Sequence, residues 1–240
     1  MFALRLDKFF VFVGKMTRSE ASKAIRAGGV TVDGKKITDP ATHIDPDGQI
    51  VSLCGQTVVY RKFTYIMMNK PKGVVCATED GDRTVIDLLP DEEKRRGLFP
   101  CGRLDKNTTG FVLITDDGTL AHRLLSPAHH VAKIYRFQLK FPFSDDDIRT
   151  LESGVELDGF TTLPCEIKRL SDREGEITLR EGKFHQIKRM FEYVHNQVRE
   201  LMRISFASLP LDASLELGKW RYLDENEIST LYKCADLQKS

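Results

Sequence analysis

Short apolar runs alternate with charged turns over residues 1–60, a pattern that predicts two helices and a hairpin. Apolar residues recur there at roughly helical spacing: Leu4, Leu6, Phe9, Phe10 and Val13, followed by Gly14. Thr17 and Glu20 have the spacing of a capping box, which predicts the start of the second helix. Asp33-Gly34 predicts a type I′ turn between two strands of a hairpin over Val30–Ile37. A further strand is expected at Ile50–Leu53.

From Phe63 onward, strand-like runs outnumber helical ones. Strands are predicted at Tyr65–Met68, Phe111–Thr115, Ile134–Lys140, Glu176–Arg180 and Met202–Phe206. Helices are predicted at Gly118–Leu125, Asp145–Glu152, Phe184–His195 and Glu225–Lys233. Because the two kinds do not alternate regularly, we expect an α+β fold: a small N-terminal helix and hairpin domain, then a mixed, mostly antiparallel sheet with flanking helices. The predicted boundaries are 1–58 for the first domain, 59–62 for a linker and 63–240 for the second domain.

Composition places the chain among ordinary globular proteins. Hydrophobic residues make up 41% and charged residues 30%. The apolar runs are far shorter than the roughly 20 residues of a membrane-spanning helix, so no membrane association is expected. The five cysteines are far apart without a C-x-x-C pair, which argues against a metal site. Without a secretion signal, they predict free thiols in the cytoplasm.

Charge is distributed unevenly along the chain, although the formal net charge is only +1. Residues 1–40 contain eight Lys or Arg against four acidic residues. Residues 142–160 contain six acidic residues and Arg149 as the one Lys or Arg. A basic face on the N-terminal domain is therefore expected, and a polyanionic partner is compatible with the near-neutral total.

A polar loop with a single carboxylate, Asp105, leads directly into the apolar run Phe111–Thr115. Loops on a rigid strand are common places for reactive residues, but an Asp near glycines is by itself more typical of a turn. Basic residues crowd the start of a predicted helix whose buried stripe is expected to comprise Phe184, Ile187, Phe191 and Val194. Cations are disfavoured at a helix N-terminus, so an anionic partner is expected for Lys183, Lys188 and Arg189, with a solvated basic face as the alternative.

Four blocks of sequence resemble pseudouridine synthases of the RsuA and RluA type. Gly102–Phe111 resembles the catalytic motif G-R-L-D-x-x-T-x-G-L, with Thr109 before the second glycine and Phe111 in place of leucine. Asn69–Val74 resembles the family's N-K-P-x-G segment, and Glu181–Phe191 resembles the motif that lies across the active site. Most of residues 1–52 resembles an S4 RNA-binding domain.

The resemblance implies that the chain isomerises uridine to pseudouridine in RNA, with Asp105 as the catalytic residue. This reaction breaks the bond between N1 of uracil and C1′ and joins C5 to C1′, so no metal and no other cofactor is expected. The carboxylate can act as a nucleophile on the sugar or as a base on C2′. Either role needs an ionised Asp105, which a nearby cation favours.

The resemblance also implies roles for other residues. Lys188 is the cation beside Asp105, Arg103 fills the gap that the extruded base leaves, and Tyr135 packs on the uracil unless it is only a core tyrosine. The His129-His130 pair and His185 could suggest a metal site or a ribonuclease, but no matching carboxylate spacing supports a metal. Contacts to RNA phosphates are expected from Arg5, Lys8, Arg18, Lys23, Arg26, Lys35 and Arg189.

Within this family, Leu124–His130 and Leu157–Pro164 look most like the members that modify the uridine at position 516 of 16S rRNA. The expected partner is therefore 16S rRNA or a small-subunit precursor, and a monomer is expected. One alternative is an enzyme for 23S rRNA. Another is a non-catalytic S4-type RNA-binding or assembly factor, which would lack Asp105. A glycoside hydrolase would need a second carboxylate in a matching motif.

Overall fold

A computed structural model describes residues 3–14, 16–94 and 97–238 of the chain. The chain forms two compact units, the first comprising Met1–Phe63 and Leu89–Gly97, the second Thr64–Leu88 and Leu98–Ser240. The predicted α+β fold class is confirmed. In the described ranges, no helix has both the length and the apolar character required to cross a membrane.

The first unit contains two helices in its described part and two small sheets. The helices are α1 Leu6–Phe12 and α2 Arg18–Arg26, with a 3-10 turn at Asp91–Glu93. The strands are β1 Leu4–Arg5, β2 Val30–Val32, β3 Lys35–Ile37, β4 His43–Ile44, β5 Val51–Leu53 and β6 Gln56–Val58. Strand β1 pairs with β4, and the other sheet has the order β3-β2-β5-β6. Their core consists of the apolar face of the helices and sheet: Leu6, Phe9, Phe10, Ala21, Ile25, Val30, Val32, Ile44, Val51 and Val58.

Local sequence signals in this unit are largely confirmed. The backbone N–H of Glu20 donates to Thr17 Oγ1 at 3.3 Å, and the N–H of Thr17 donates to Glu20 Oε2 at 2.7 Å. Asp33 and Gly34 have φ of 50° and 77°, as a type I′ turn requires. One detail differs, because Leu4 belongs to a strand rather than to the helix. Val58, the last residue predicted for this domain, pairs with Val51.

Two of the expected RNA-contacting arginines form ion pairs with a buried carboxylate. Asp7 is 3% exposed, and its carboxylate accepts from Arg5 Nη2 at 2.8 Å and from Arg18 Nε at 3.1 Å. The hydrogen bonds from Arg5 and Arg18 outweigh burial and hold the pKa of Asp7 at about 2. The Arg18–Asp7 pair therefore links α2 to α1, whereas the Arg5–Asp7 pair is local to the start of α1. The other expected cations are exposed: Lys8, Lys23, Arg26 and Lys35.

The second unit is built on one nine-stranded mixed sheet and also contains a separate two-stranded sheet, formed by Glu156–Leu157 and Phe160–Thr161. Its strands are β7 Tyr65–Lys70, β8 Phe99–Cys101, β9 Thr109–Thr115, β10 Lys133–Leu139, β11 Glu156–Leu157, β12 Phe160–Thr161, β13 Glu166–Arg169, β14 Glu174–Leu179, β15 Val198–Phe206, β16 Leu209–Pro210 and β17 Trp220–Tyr222. Its helices are α3 Gly118–Leu125, α4 Asp145–Glu152, α5 Gln186–Tyr193 and α6 Glu225–Cys234, with a 3-10 turn at Pro127–His129. The order β13-β14-β10-β15-β9-β7-β17 is antiparallel except for β9 beside β15.

The parallel contact between β9 and β15 depends on a glycine. Gly110 lies opposite Arg203, and a Cβ added to Gly110 would lie 2.3 Å from the Arg203 carbonyl oxygen. Gly110 also has φ of 102°, which strongly favours glycine. The glycine of the catalytic motif therefore allows the two central strands to approach, directly after the Asp105 loop.

The helix of the basic motif differs from its prediction. Helix α5 spans Gln186–Tyr193 instead of Phe184–His195, because His185 adopts a left-handed conformation with φ of 51°. Phe184 is 76% exposed and is not part of the buried stripe, and Val194 is only partly buried. The apolar residues that α5 buries are Ile187, Met190 and Phe191. The correction moves Phe184 from the core to the surface.

Candidate active site

A pocket in the second unit brings together four separate parts of the sequence. The loop before β9, strand β10, the segment from β14 into α5 and strand β15 contribute its walls. Its lining includes the four pocket residues that the sequence singled out: Arg103, Asp105, Tyr135 and Lys188. These residues come from distant positions, so their meeting in one pocket is a property of the fold.

The Asp105 carboxylate is held by groups from α5 and the residue before it. Lys188 Nζ lies 2.5 Å from Asp105 Oδ2, and the two side chains are 29% and 26% exposed. His185 Nε2 lies 3.5 Å from Asp105 Oδ1. The carboxylate that we expected beside Lys188 is thus present in the structure. The sequence analysis considers His185 only as a possible metal or ribonuclease histidine, and its place three residues before Lys188 in the same motif is the signal that could have found it.

The Asp105 loop rests on a buried lysine of the N-K-P segment. Lys70 is fully buried, and its ammonium donates to the carbonyl oxygens of Asp105 at 3.1 Å, Lys106 at 3.2 Å and Thr108 at 2.8 Å. It also donates to the Pro71 carbonyl at 3.1 Å. Burial lowers the pKa of Lys70, and these carbonyl oxygens replace the water that the ammonium loses. Lys70 therefore shapes the backbone that carries Asp105.

Arg203 is a second buried cation near the loop. It is 1% exposed, its Nε donates to the Phe111 carbonyl at 2.7 Å, and its guanidinium lies 5.0 Å from the Phe206 ring centroid. Lys133 is also largely enclosed, and burial lowers its pKa to about 8. The interior of this unit thus contains several positive groups, whose charge favours anions. Sequence reasoning missed Arg203, although an arginine inside an apolar strand was a signal of an unusual core position.

Tyr135 and Arg103 occupy different parts of the pocket wall. Tyr135 is 9% exposed and lies on β10, paired with Ile177 on one side and Arg203 on the other. The central strands thus determine the position of its ring. Arg103 is exposed, two residues before Asp105 on the same loop. A buried aromatic ring and an exposed arginine therefore line the same pocket as Asp105.

A hydrogen-bonded turn fixes the segment that leads into α5. Gln186 is 4% exposed; its Nε2 donates to Glu181 Oε1 at 2.6 Å, and its Oε1 accepts from the Lys183 backbone N–H at 3.0 Å. Leu163 N–H also donates to Glu181 Oε1, at 2.8 Å. Arg189, which we expected to contact RNA, forms an ion pair with Asp158 at 2.9 Å.

The histidine pair His129-His130, which could suggest a metal site, lies outside this pocket. His129 Nδ1 lies 3.6 Å from Asp236 Oδ2, and neither His129 nor His130 lines the pocket. Across the residues that the structure describes, no cluster of three or more His, Cys, Asp or Glu side chains is placed to hold a metal ion. Glu181 also lines the pocket, but its carboxylate accepts from Gln186 Nε2 and Leu163 N–H, whereas the Asp105 carboxylate lies beside Lys188 and His185.

Sequence comparison identifies the family. The RNA pseudouridylate synthase model matches residues 64–193, and the S4 domain model matches residues 4–50. The uncharacterized RNA pseudouridine synthase YtzG of Bacillus subtilis is 46% identical over 234 residues, covering 95% of this chain and 98% of its own length. Ribosomal small subunit pseudouridine synthase A of Vibrio cholerae is 40% identical, covering 96% and 100%. Ribosomal small subunit pseudouridine synthase A of Escherichia coli K12 is 37% identical, covering 95% of this chain and 100% of its own length.

A solved structure agrees with these relatives. A crystal structure of pseudouridylate synthase, 36% identical, superposes with a TM-score of 0.68 and covers 95% of this chain and 99% of its own. The chain belongs to the RNA pseudouridylate synthase family and is an enzyme that isomerises uridine in RNA. Within that family it is of the RsuA type, with an S4 domain in front of the catalytic unit, as the sequence predicted.

Proposed function

We propose that this enzyme converts the uridine at position 516 of 16S rRNA to pseudouridine, with Asp105 acting on the ribose. The Asp105 carboxylate, held by Lys188 inside a pocket of the synthase unit, is the observation that carries the catalytic part of this proposal. Full-length similarity to enzymes named for the small ribosomal subunit supports the choice of RNA.

The reaction conserves every atom of the uracil except one exchanged proton. The N1–C1′ bond breaks, the base turns, C5 joins C1′, the C5 proton leaves and N1 gains a proton. Asp105 either adds to C1′ as a nucleophile or removes the C2′ proton as a base. In both routes Lys188 orients the carboxylate, because its ammonium binds Oδ2 and leaves Oδ1 toward His185.

Tyr135 and Arg103 have separate tasks in this proposal. A target uridine has to leave the RNA stack before its glycosidic bond can be reached. The ring of Tyr135, fixed on β10, packs against the extruded uracil. Arg103, exposed on the Asp105 loop, enters the gap that the base leaves.

The S4 domain captures the RNA by contacts to phosphates, which position a nucleic acid without reading its bases. Four exposed cations make these phosphate contacts: Lys8, Lys23, Arg26 and Lys35. Arg5 and Arg18 also contact phosphates, although each is paired with Asp7. Arg189 contacts RNA beside its partner Asp158. A small-subunit precursor particle is the expected form of the substrate, and a cytoplasmic monomer remains our prediction.

Pseudouridine mapping tests the assignment of the target. Cells with and without the gene are compared at every rRNA uridine, and the purified enzyme is given 16S rRNA, a small-subunit precursor and 23S rRNA. We expect one site to disappear, in 16S rRNA, and to return when the gene is restored but not with Asp105→Asn. Loss of a site in 23S rRNA instead would show that this protein modifies the large-subunit RNA.

An isotope measurement separates the two roles of Asp105. Substrate RNA carrying deuterium at C2′ of the target nucleotide is compared with unlabelled RNA in single-turnover reactions. A base that removes this proton predicts a primary isotope effect, whereas a nucleophile at C1′ predicts a rate that is nearly unchanged.

A further inference from the structure

Phe184 lies between two residues that line the pocket, Lys183 and His185. It is 76% exposed, the highest value among the exposed large hydrophobic residues that the structure describes. Its ring stacks on the His185 ring with centroids 3.9 Å apart and planes inclined by 16°. Isolated apolar residues on a surface are common, but this one belongs to a parallel pair of rings with a defined orientation.

The backbone around the pair is held in place. His185 has φ of 51°, a region that residues other than glycine seldom occupy. The buried amide of Gln186 links the flanking backbone to Glu181, through hydrogen bonds of 3.0 Å to Lys183 N–H and 2.6 Å to Glu181 Oε1. The two rings are therefore presented by a fixed turn.

One end of this stack reaches the reactive carboxylate. His185 Nε2 lies 3.5 Å from Asp105 Oδ1, and the Phe184 ring covers one face of the imidazole. The stack thus begins at the carboxylate and ends at an exposed ring. A nucleotide that follows or precedes a uridine bound at Asp105 is close enough to meet that ring.

Three cations lie near the stack along the chain, of which Lys188 is paired with Asp105 and Arg189 with Asp158. Lys183 and Arg189 lie over the Phe160 ring, at 5.6 Å and 5.3 Å from its centroid, and Lys188 lies one helical turn beyond His185. An apolar protein partner gains little from this charge. An unpaired nucleotide combines a flat aromatic base with a phosphate, and such groups bind to aromatic side chains beside cations.

We infer that the Phe184–His185 pair is a binding subsite for an unpaired nucleobase adjacent to the target uridine. The base stacks on the exposed face of Phe184, and its phosphate faces Lys183. This subsite holds the RNA strand in its opened form while the uridine occupies the pocket. The inference depends on the proposed function in one respect, namely that the target uridine binds at Asp105.

Kinetics with matched variants test this subsite. The substrate is the rRNA in which the wild-type enzyme forms pseudouridine, from either subunit, so failure of the small-subunit assignment does not affect the test. Phe184→Ala and Phe184→Leu should each raise KM roughly 10-fold, the size typical of one lost base stack, with kcat nearly unchanged. Phe184→Tyr should keep wild-type KM. Tyr193→Ala is the control, since Tyr193 is 50% exposed at the other end of α5.

A fluorescent base gives an independent measurement. 2-Aminopurine is placed on the 5′ or the 3′ side of the target, and binding is followed with Asp105→Asn so that the RNA is not converted. Quenching at one of these positions, lost when Phe184→Leu is added and kept with Phe184→Tyr, would support the subsite. The subsite would be overturned by a wild-type KM for Phe184→Leu, by an equal effect of Tyr193→Ala, or by quenching that persists in Phe184→Leu. Conversion of the same RNA by the wild-type enzyme would then show that the failure concerns the subsite and not the pocket at Asp105.

Discussion

Lys188 Nζ and Asp105 Oδ2 are 2.5 Å apart although 83 positions separate the two residues in the sequence. The contact joins the loop before β9 to the first turn of α5. Because both side chains remain partly exposed, substrate can reach the carboxylate without breaking a buried pair. The pair is thus an orienting contact in an open pocket.

We predict that Asp105→Asn and Asp105→Ala abolish pseudouridine formation and leave folding and RNA affinity nearly unchanged. In the proposed mechanism the carboxylate acts on the ribose, and Asn retains its shape without its charge. Product is measured by mapping after incubation with excess enzyme. Turnover by Asp105→Ala above that of a mock preparation would contradict the assignment.

We predict that Lys188→Met lowers kcat by about 100-fold, the size typical of removing one electrostatic contact from an active site. RNA affinity should fall much less, and Lys188→Arg should be tolerated best because it keeps the cation. Steady-state kinetics and a binding assay separate the two effects, with circular dichroism as the folding control. A change in affinity alone would make Lys188 a phosphate contact.

We predict that Lys70→Met lowers the free energy of unfolding by about 3 kcal/mol, because buried carbonyl oxygens lose their donor. Activity should fall as well, since those oxygens belong to the Asp105 loop. Lys72→Met is the matched control: its partner is Glu200 and both side chains are about half exposed, so a change below about 1 kcal/mol is expected. Equal urea midpoints for both variants would exclude this role for Lys70.

We predict that Asp7→Asn destabilises the S4 domain at neutral pH by about 1–2 kcal/mol, discounted for the exposure of its arginine partners. The folded pKa is held at about 2, below the unfolded value of about 3.9, so the stabilisation is present above about pH 4 and is lost as pH falls through about 2. Hydrogen exchange in α1 and α2 is measured at pH 7, 4 and 3. The difference in stability between Asp7→Asn and the wild type should shrink to about half by pH 3. Asp47→Asn is the exposed control, and a difference independent of pH would contradict the ion-pair explanation.

We predict that reversing Lys8, Lys23 and Arg26 to Glu raises KM far more than it lowers kcat. Arg18 is left unchanged, because its pair with Asp7 would confuse lost binding with lost stability. Affinity of the wild type should fall as salt rises, and the variant should show a weaker salt dependence. Kinetics at two salt concentrations test this, and an unchanged KM would show that the basic face is only solvated surface.

Local signals in the sequence determined many elements of the fold. The capping box at Thr17 and the type I′ turn at Asp33 need only neighbouring residues, and the structure contains both. Helices α3 and α4 have the predicted bounds. Resemblance to a family motif singled out Asp105 and Lys188, and comparison confirmed the family.

Tertiary structure alone decided what surrounds Asp105. The sequence showed Lys70 in a motif and Arg203 in a strand, but their partners are backbone carbonyls that the fold brings to them. Phe184 has an apolar side chain at helical spacing, yet the left-handed His185 begins the helix later and leaves Phe184 exposed. Periodicity reports which residues can share a face. Burial and pairing depend on chain segments far apart in sequence, which meet only when the sheet and α5 have packed.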